Sequence, residues 1–121
     1  MTLPNLTFSR PTQCVLWDDP ARVRGNDLFE IVEIYYDDEH FFRRLLRCKE
    51  CGQQYFYEMY EEIDWEDGED PQYRKWIPVN TLAEIDSLKA TSTAWLIQAS
   101  PAIHSDFPKG VAEPKVFWVG K

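Results

Sequence analysis

Five consecutive residues, Cys48-Lys49-Glu50-Cys51-Gly52, carry the most specific chemistry in this chain of 121 residues. A two-residue spacer inside a tight turn aims two sulfurs at one point, and the glycine that follows accepts the positive φ such a turn demands. Convergent thiolates are soft donors, suited to zinc rather than to a hard cation. Zinc in a structural site takes four ligands, and the remaining candidates are Cys14, His104 and His40. Cys48, Cys51, Cys14 and His104 make the better Cys3His set, because an extended run from His40 to Cys48 separates those two by about 25 Å at roughly 3.3 Å per residue. The alternative is a reduced pair that shapes a turn and binds nothing. A redox Cys-x-x-Cys requires a βαβ setting that these flanks do not offer, and a structural disulfide is disfavoured in a reducing compartment.

Leu45-Leu46-Arg47 leads into this turn and Gln54-Tyr55-Phe56-Tyr57 leads out, both with strand character. Residues 45–57 therefore resemble the first half of a zinc ribbon, a zinc knuckle, and the resemblance implies bound zinc. It departs from the family pattern in lacking the second Cys-x-x-Cys.

The second candidate region is the acidic aromatic segment 58–76. Glu58, Glu61, Glu62, Asp64, Glu66, Asp67, Glu69 and Asp70 place eight acids and no base in thirteen residues, as much negative charge as the net −8 of the whole chain. Trp65, Tyr73 and Trp76 lie among or just after them. Charge runs ordinarily stay solvated, with nearby aromatics turned inward. Carboxylates in formation beside aromatic anchors are equally the composition of a docking face for a basic protein, since a cationic partner relieves their mutual repulsion and is steered toward them. Calcium is a weaker fit, because the segment lacks the ligand spacing of an EF-hand. The alternation Ile63, Asp64, Trp65, Glu66 extends the preceding strand into the acidic tract as far as the Asp67-Gly68 turn.

A small acidic chain with this carboxylate and aromatic segment resembles in kind the immunity proteins that bacteria make beside their toxins. The resemblance implies a non-enzymatic inhibitor that occludes the cationic site of a toxin encoded nearby. The other reading is a zinc-knuckle adaptor, in which Arg43, Arg44, Arg47 and Lys49 beside the cysteine turn contact nucleic acid or a transcription-type partner. An enzyme ranks third: the phosphate-loop, dinucleotide, zinc-protease and nucleophile-elbow motifs are absent, and His104 with Asp106 is a weak local candidate for a base and its orienter.

These residues need elements to hold them. Asp27–Tyr36 and Phe41–Arg47 read as a hairpin with Asp37, Asp38 and Glu39 at its tip, and Gln54–Ile63 as a third antiparallel strand, because the connections are too short for parallel crossovers. A helix competes over 28–47, where Leu28, Val32 and Tyr35 fit one helical face. Val15–Trp17, Trp76–Val79 and Val116–Val119 are short apolar runs suited to further strands, and Pro78 argues for a sheet edge. Thr81 and Glu84 make a capping box that opens a helix over about 81–90, with Leu82, Ile85 and Leu88 on one face. Ala94–Ala99 reads as a strand, and the proline-bearing 100–115 as an extended tail. The expected fold is α+β, an antiparallel meander with one short helix packed on it, as a single domain over 1–121. A net charge of −8 disfavours nucleic-acid and membrane-surface binding, and no apolar run is long enough to span a bilayer. With no basic and apolar leader pattern at the start, the expected location is cytoplasmic.

Overall fold

The computed structural model describes residues 6–25 and 27–121. Six strands, β1 (Phe29–Asp37), β2 (Phe41–Cys48), β3 (Gln54–Glu61), β4 (Gln72–Val79), β5 (Ala102–Phe107) and β6 (Lys115–Val119), form one antiparallel sheet in the order β1-β2-β3-β4-β5-β6. The fold is therefore mainly antiparallel β with short helices: α1 (Val15–Asp18), followed by a 3-10 turn at Pro20–Arg24, then α2 (Leu82–Lys89) and α3 (Thr93–Leu96).

The β1–β2 hairpin forms, but Asp37 is the last residue of β1, paired with Phe42, so Asp38 to His40 make the tip instead of Asp37 to Glu39. β1 departs from strict alternation through irregularities at Ile31/Glu33 and Ile34/Tyr36. These let Tyr35 reach the core and stack on Phe56 at 5.8 Å while Tyr36 meets Phe41. The capping box of α2 is complete: the Glu84 amide donates to Thr81 Oγ1 and Glu84 Oε1 accepts from the Thr81 amide.

Apolar side chains cluster on both faces of the sheet. One cluster joins Leu45, Phe56 and Ile77 to Ile85 and Leu88 of α2 and Leu96 of α3. The other joins Leu46, Tyr57, Trp76 and Ile103 to Leu16 of α1 and to the buried Cys14 and Cys48. Two-sided burial explains why apolar residues stand at neighbouring positions in the central strands, as at Leu45-Leu46 and Trp76-Ile77.

Several local expectations change. Val15–Trp17 is a helical turn, where burial of Leu16 and a hydrogen bond from Trp118 Nε1 to the Leu16 carbonyl outweigh the strand preference of valine and tryptophan. Ala94–Ala99 contains α3 instead of a strand. The supposed tail supplies β5, an interior strand between β4 and β6. β4 is interior as well, but its pairing with β5 stops at Trp76↔Ile103, so Pro78 lies where no β5 residue is paired with it. β3 ends at Glu61, and the acidic tract is a loop.

Candidate functional site

β2 and β3 meet at the cysteine turn. The Gly52 amide donates to the Cys48 carbonyl at 2.8 Å and the Cys48 amide to the Gln53 carbonyl at 2.9 Å, with Gly52 at φ +83°. Cys14, just before α1, comes to the same point, and the Sγ atoms of Cys14, Cys48 and Cys51 all lie within 4.8 Å of one another. Cys14 and Cys48 are buried and Cys51 is on the solvent side. Buried Tyr55 donates its hydroxyl to Cys14 Sγ at 3.1 Å, orienting that sulfur as an outer-shell partner does. The Cys51 thiol is pushed up to about 12, first by desolvation and then by hydrogen bonds to Cys14 and Cys48, against a lowering contribution from the Gln53 backbone. The three sulfurs thus crowd one another, as ligands of a single ion do.

His104 is not part of this group. On β5 it pairs with Lys75 of β4, sharing the sheet face that carries Arg43 and Glu58, whereas Cys48 belongs to the cluster on the opposite face. His40 sits at the far end of β2 from Cys48, its Nδ1 2.6 Å from Glu61 Oε1.

On that other face runs a buried row that composition could not reveal. The register Arg43↔Glu58↔Lys75↔His104 lines up four titratable side chains across β2 to β5, all buried. Glu58, 0% exposed, accepts on Oε2 from Arg43 Nε at 2.9 Å and from Thr93 Oγ1 at 3.1 Å, and its Oε1 is 3.8 Å from Lys75 Nζ. Arg43 also donates to the Thr91 carbonyl at 2.7 Å. Burial, and then the Lys75 charge, hold His104 below its ordinary range, partly offset by Asp106. No hydrogen bond joins His104 to Asp106, and His104 Nε2 has no partner among the described residues, so the base-and-orienter pair is not assembled. Each strand contributes one titratable residue to this row, so no pattern within a single strand points to it; the cross-strand register alone lines the four up.

The acidic segment divides by environment. Glu58 is interior and paired, and Trp76 is buried against Tyr57 at 5.0 Å, so neither belongs to an exposed face. Tyr73 is half-buried and stacked on Tyr60. Hydrogen bonds from His40 and then Gln72 lower the Glu61 carboxyl from its ordinary value. Asp64 Oδ1 accepts from the Glu66 amide at 3.1 Å and Asp70 Oδ1 from the Asp64 amide at 2.7 Å, so the loop is held by its own side chains. Lys109 of the β5–β6 connection bridges Asp64 at 3.0 Å and Asp67 at 2.7 Å. That leaves Glu62, Glu66 and Glu69 exposed with no ion pair among the described residues, around Ile63 and a Trp65 that is 87% exposed. Beside them a cleft of about 470 Å³ runs between Glu69 and Asp70 and the connection, with exposed Phe107 and Val111 on its wall.

The arginines near the cysteine turn are engaged. Arg43 pairs with Glu58, Arg44 with Asp37 and Arg47 with Glu30, which removes most of the basic patch on which the adaptor reading rests. Among the described residues no helix is long and apolar enough to cross a membrane. No protein-family model, no curated protein and no solved structure matches this chain.

Proposed function

We propose that the protein is a non-enzymatic binding protein that docks a cationic partner through the loop 62–70 and the adjoining β5–β6 connection. The observation that carries this reading is Trp65, a large aromatic left in solvent on a loop whose backbone is already ordered by Asp64 and Asp70. An ordered loop loses little entropy on binding, and an aromatic anchor ringed by polar groups is the usual anatomy of an interface centre. The unpaired Glu62, Glu66 and Glu69 supply steering toward a basic surface. Occlusion of a cationic cleft, the action of an immunity-type toxin inhibitor, is the role this surface suits best.

The three cysteines complete the proposal as ligands of one zinc ion, which ties the segment before α1 to the β2–β3 turn. Zinc–sulfur bonds of about 2.3 Å set a tetrahedral edge near 3.8 Å, so the sulfurs need close by only about 1 Å.

The test uses the basic protein recovered with the wild-type chain, purified and titrated calorimetrically. Trp65→Ala is expected to weaken binding at least about tenfold. Glu62→Gln/Glu66→Gln/Glu69→Gln should slow association and flatten its salt dependence, with dissociation little changed. Wild-type affinity in both variants would overturn the reading, as would recovery of acidic partners alone.

A further inference from the structure

We propose that the metal held by Cys14, Cys48 and Cys51 has a fourth, exchangeable coordination position that accepts a neutral nitrogen donor from outside the chain. This rests on the zinc reading above and adds what that reading leaves open, the nature of the fourth ligand.

Three observations converge on it. First, the described Cys, His, Asp and Glu side chains supply three donors at this point and no fourth. His104 is on the opposite face of the sheet and His40 at the other end of β2, hydrogen-bonded to Glu61. Second, the carboxylate on the wall of the adjoining cleft is engaged by an arginine. Glu50, adjacent to Cys51 in the turn, has its Oε2 2.6 Å from Arg22 Nη2. Third, one side of the cluster is open. The inner side is closed by Tyr55 and the buried sulfurs of Cys14 and Cys48, while Cys51 borders a polar cleft of about 520 Å³ that also contains Thr12, Gln13, Gln53 and Asn80. A side chain built at Gly52 would meet nothing within 4 Å, which shows how open the turn is on that side.

Charge decides the donor class. A divalent ion with three thiolates carries a net −1. A fourth anionic donor would raise this to −2 beside two buried sulfurs, whereas water or imidazole leaves it unchanged. Imidazole is the stronger of the two neutral donors toward a borderline metal. The cleft is lined by the Thr12 hydroxyl, the amides of Gln13, Gln53 and Asn80 and the Glu50 carboxylate that Arg22 engages, groups able to hydrogen-bond the second ring nitrogen of an incoming imidazole.

The test uses the full chain, purified under reducing conditions, with zinc replaced by Co2+ and free imidazole as the probe. Expected are about one metal per chain by elemental analysis, an intense thiolate-to-cobalt charge-transfer band, and tetrahedral ligand-field bands. Imidazole should shift the ligand-field bands saturably at one equivalent while the charge-transfer intensity holds. Cys51→Ser, which changes the most exposed ligand, should lower that intensity by about a third. Glu50→Gln should leave the imidazole response intact.

Charge-transfer bands with ligand-field bands indifferent to imidazole would overturn the exchangeable position and leave the zinc reading standing. A metal-dependent dimer in sedimentation would then assign the fourth donor to a second copy. Absence of metal and of any charge-transfer band, or a Cys48–Cys51 disulfide in the unreduced chain, would overturn the zinc reading itself.

Discussion

Glu58 and Glu66 stand eight positions apart in one acidic run, and the fold puts them to opposite uses. Glu58 is sealed between Arg43, Lys75 and Thr93 under α3, while Glu66 is in solvent next to Trp65. Glu84, in α2, is a third case, spent locally on the amides of Asn80 and Thr81. Acidity of a segment therefore says nothing about which carboxylates face solvent. Strand direction decides it within β3, because alternate residues face opposite sides, and the end of β3 at Glu61 decides it for the loop.

The sharpest way to break this contrast is to remove the buried member. Glu58→Ala should lower unfolding free energy by about 3–5 kcal/mol, because it leaves Arg43 and Lys75 buried without a counter-charge. Urea denaturation measures this, and a loss under about 1 kcal/mol would show that Glu58 behaves like the loop acids. Replacing Arg43, Glu58 and Lys75 together by Met should recover most of the loss, since a well-packed apolar set avoids the desolvation of all three.

The two histidines extend the contrast to pH. His104 has its folded-state pKa depressed by burial, so the unfolded chain binds the proton more readily. Its contribution is intact above the unfolded value near 6.5 and is lost as pH falls toward the folded value. His40 is raised, first by its hydrogen bond to Glu61, so it stabilises below about 6.5 and that contribution fades as pH rises through the folded value. Denaturation midpoints between pH 5 and 8 should accordingly fall less steeply toward acid in His104→Leu than in wild type, and more steeply in His40→Gln. Parallel curves for all three proteins would refute the assignment.

Smaller effects complete the series. Thr81→Ala removes the cap of α2 and should cost about 1 kcal/mol. Trp65→Ala should change stability by less than about 0.5 kcal/mol, while weakening the proposed binding at least about tenfold. A large loss of stability on changing Trp65 would mean that the loop packs against the body of the protein and is no docking face.

The capping box, the β1–β2 hairpin and the turn at Gly52 were legible because each is governed by residues close together in the chain. The turn also announced Cys48 and Cys51 as a convergent pair. What lay beyond local reach was the third sulfur's company: Cys14 precedes β1, and nothing in the spacing distinguishes it from His104 as a partner. Trp76 is illegible for a related reason, since an aromatic beside an acidic run reads the same whether it points outward or, as here, against Tyr57.

Composition and local pattern by themselves determined that this chain forms an antiparallel meander with a capped helix, a sulfur-bearing turn and a surplus of negative charge. Only the tertiary structure decided that Cys14 meets that turn while His104 does not, that Glu58 is paired inside, and that Trp65 is left in water. The physical reason is that hydrogen-bonded turns and caps form between neighbours, whereas facing, burial and ion pairing across strands depend on register, a relation between residues distant in sequence.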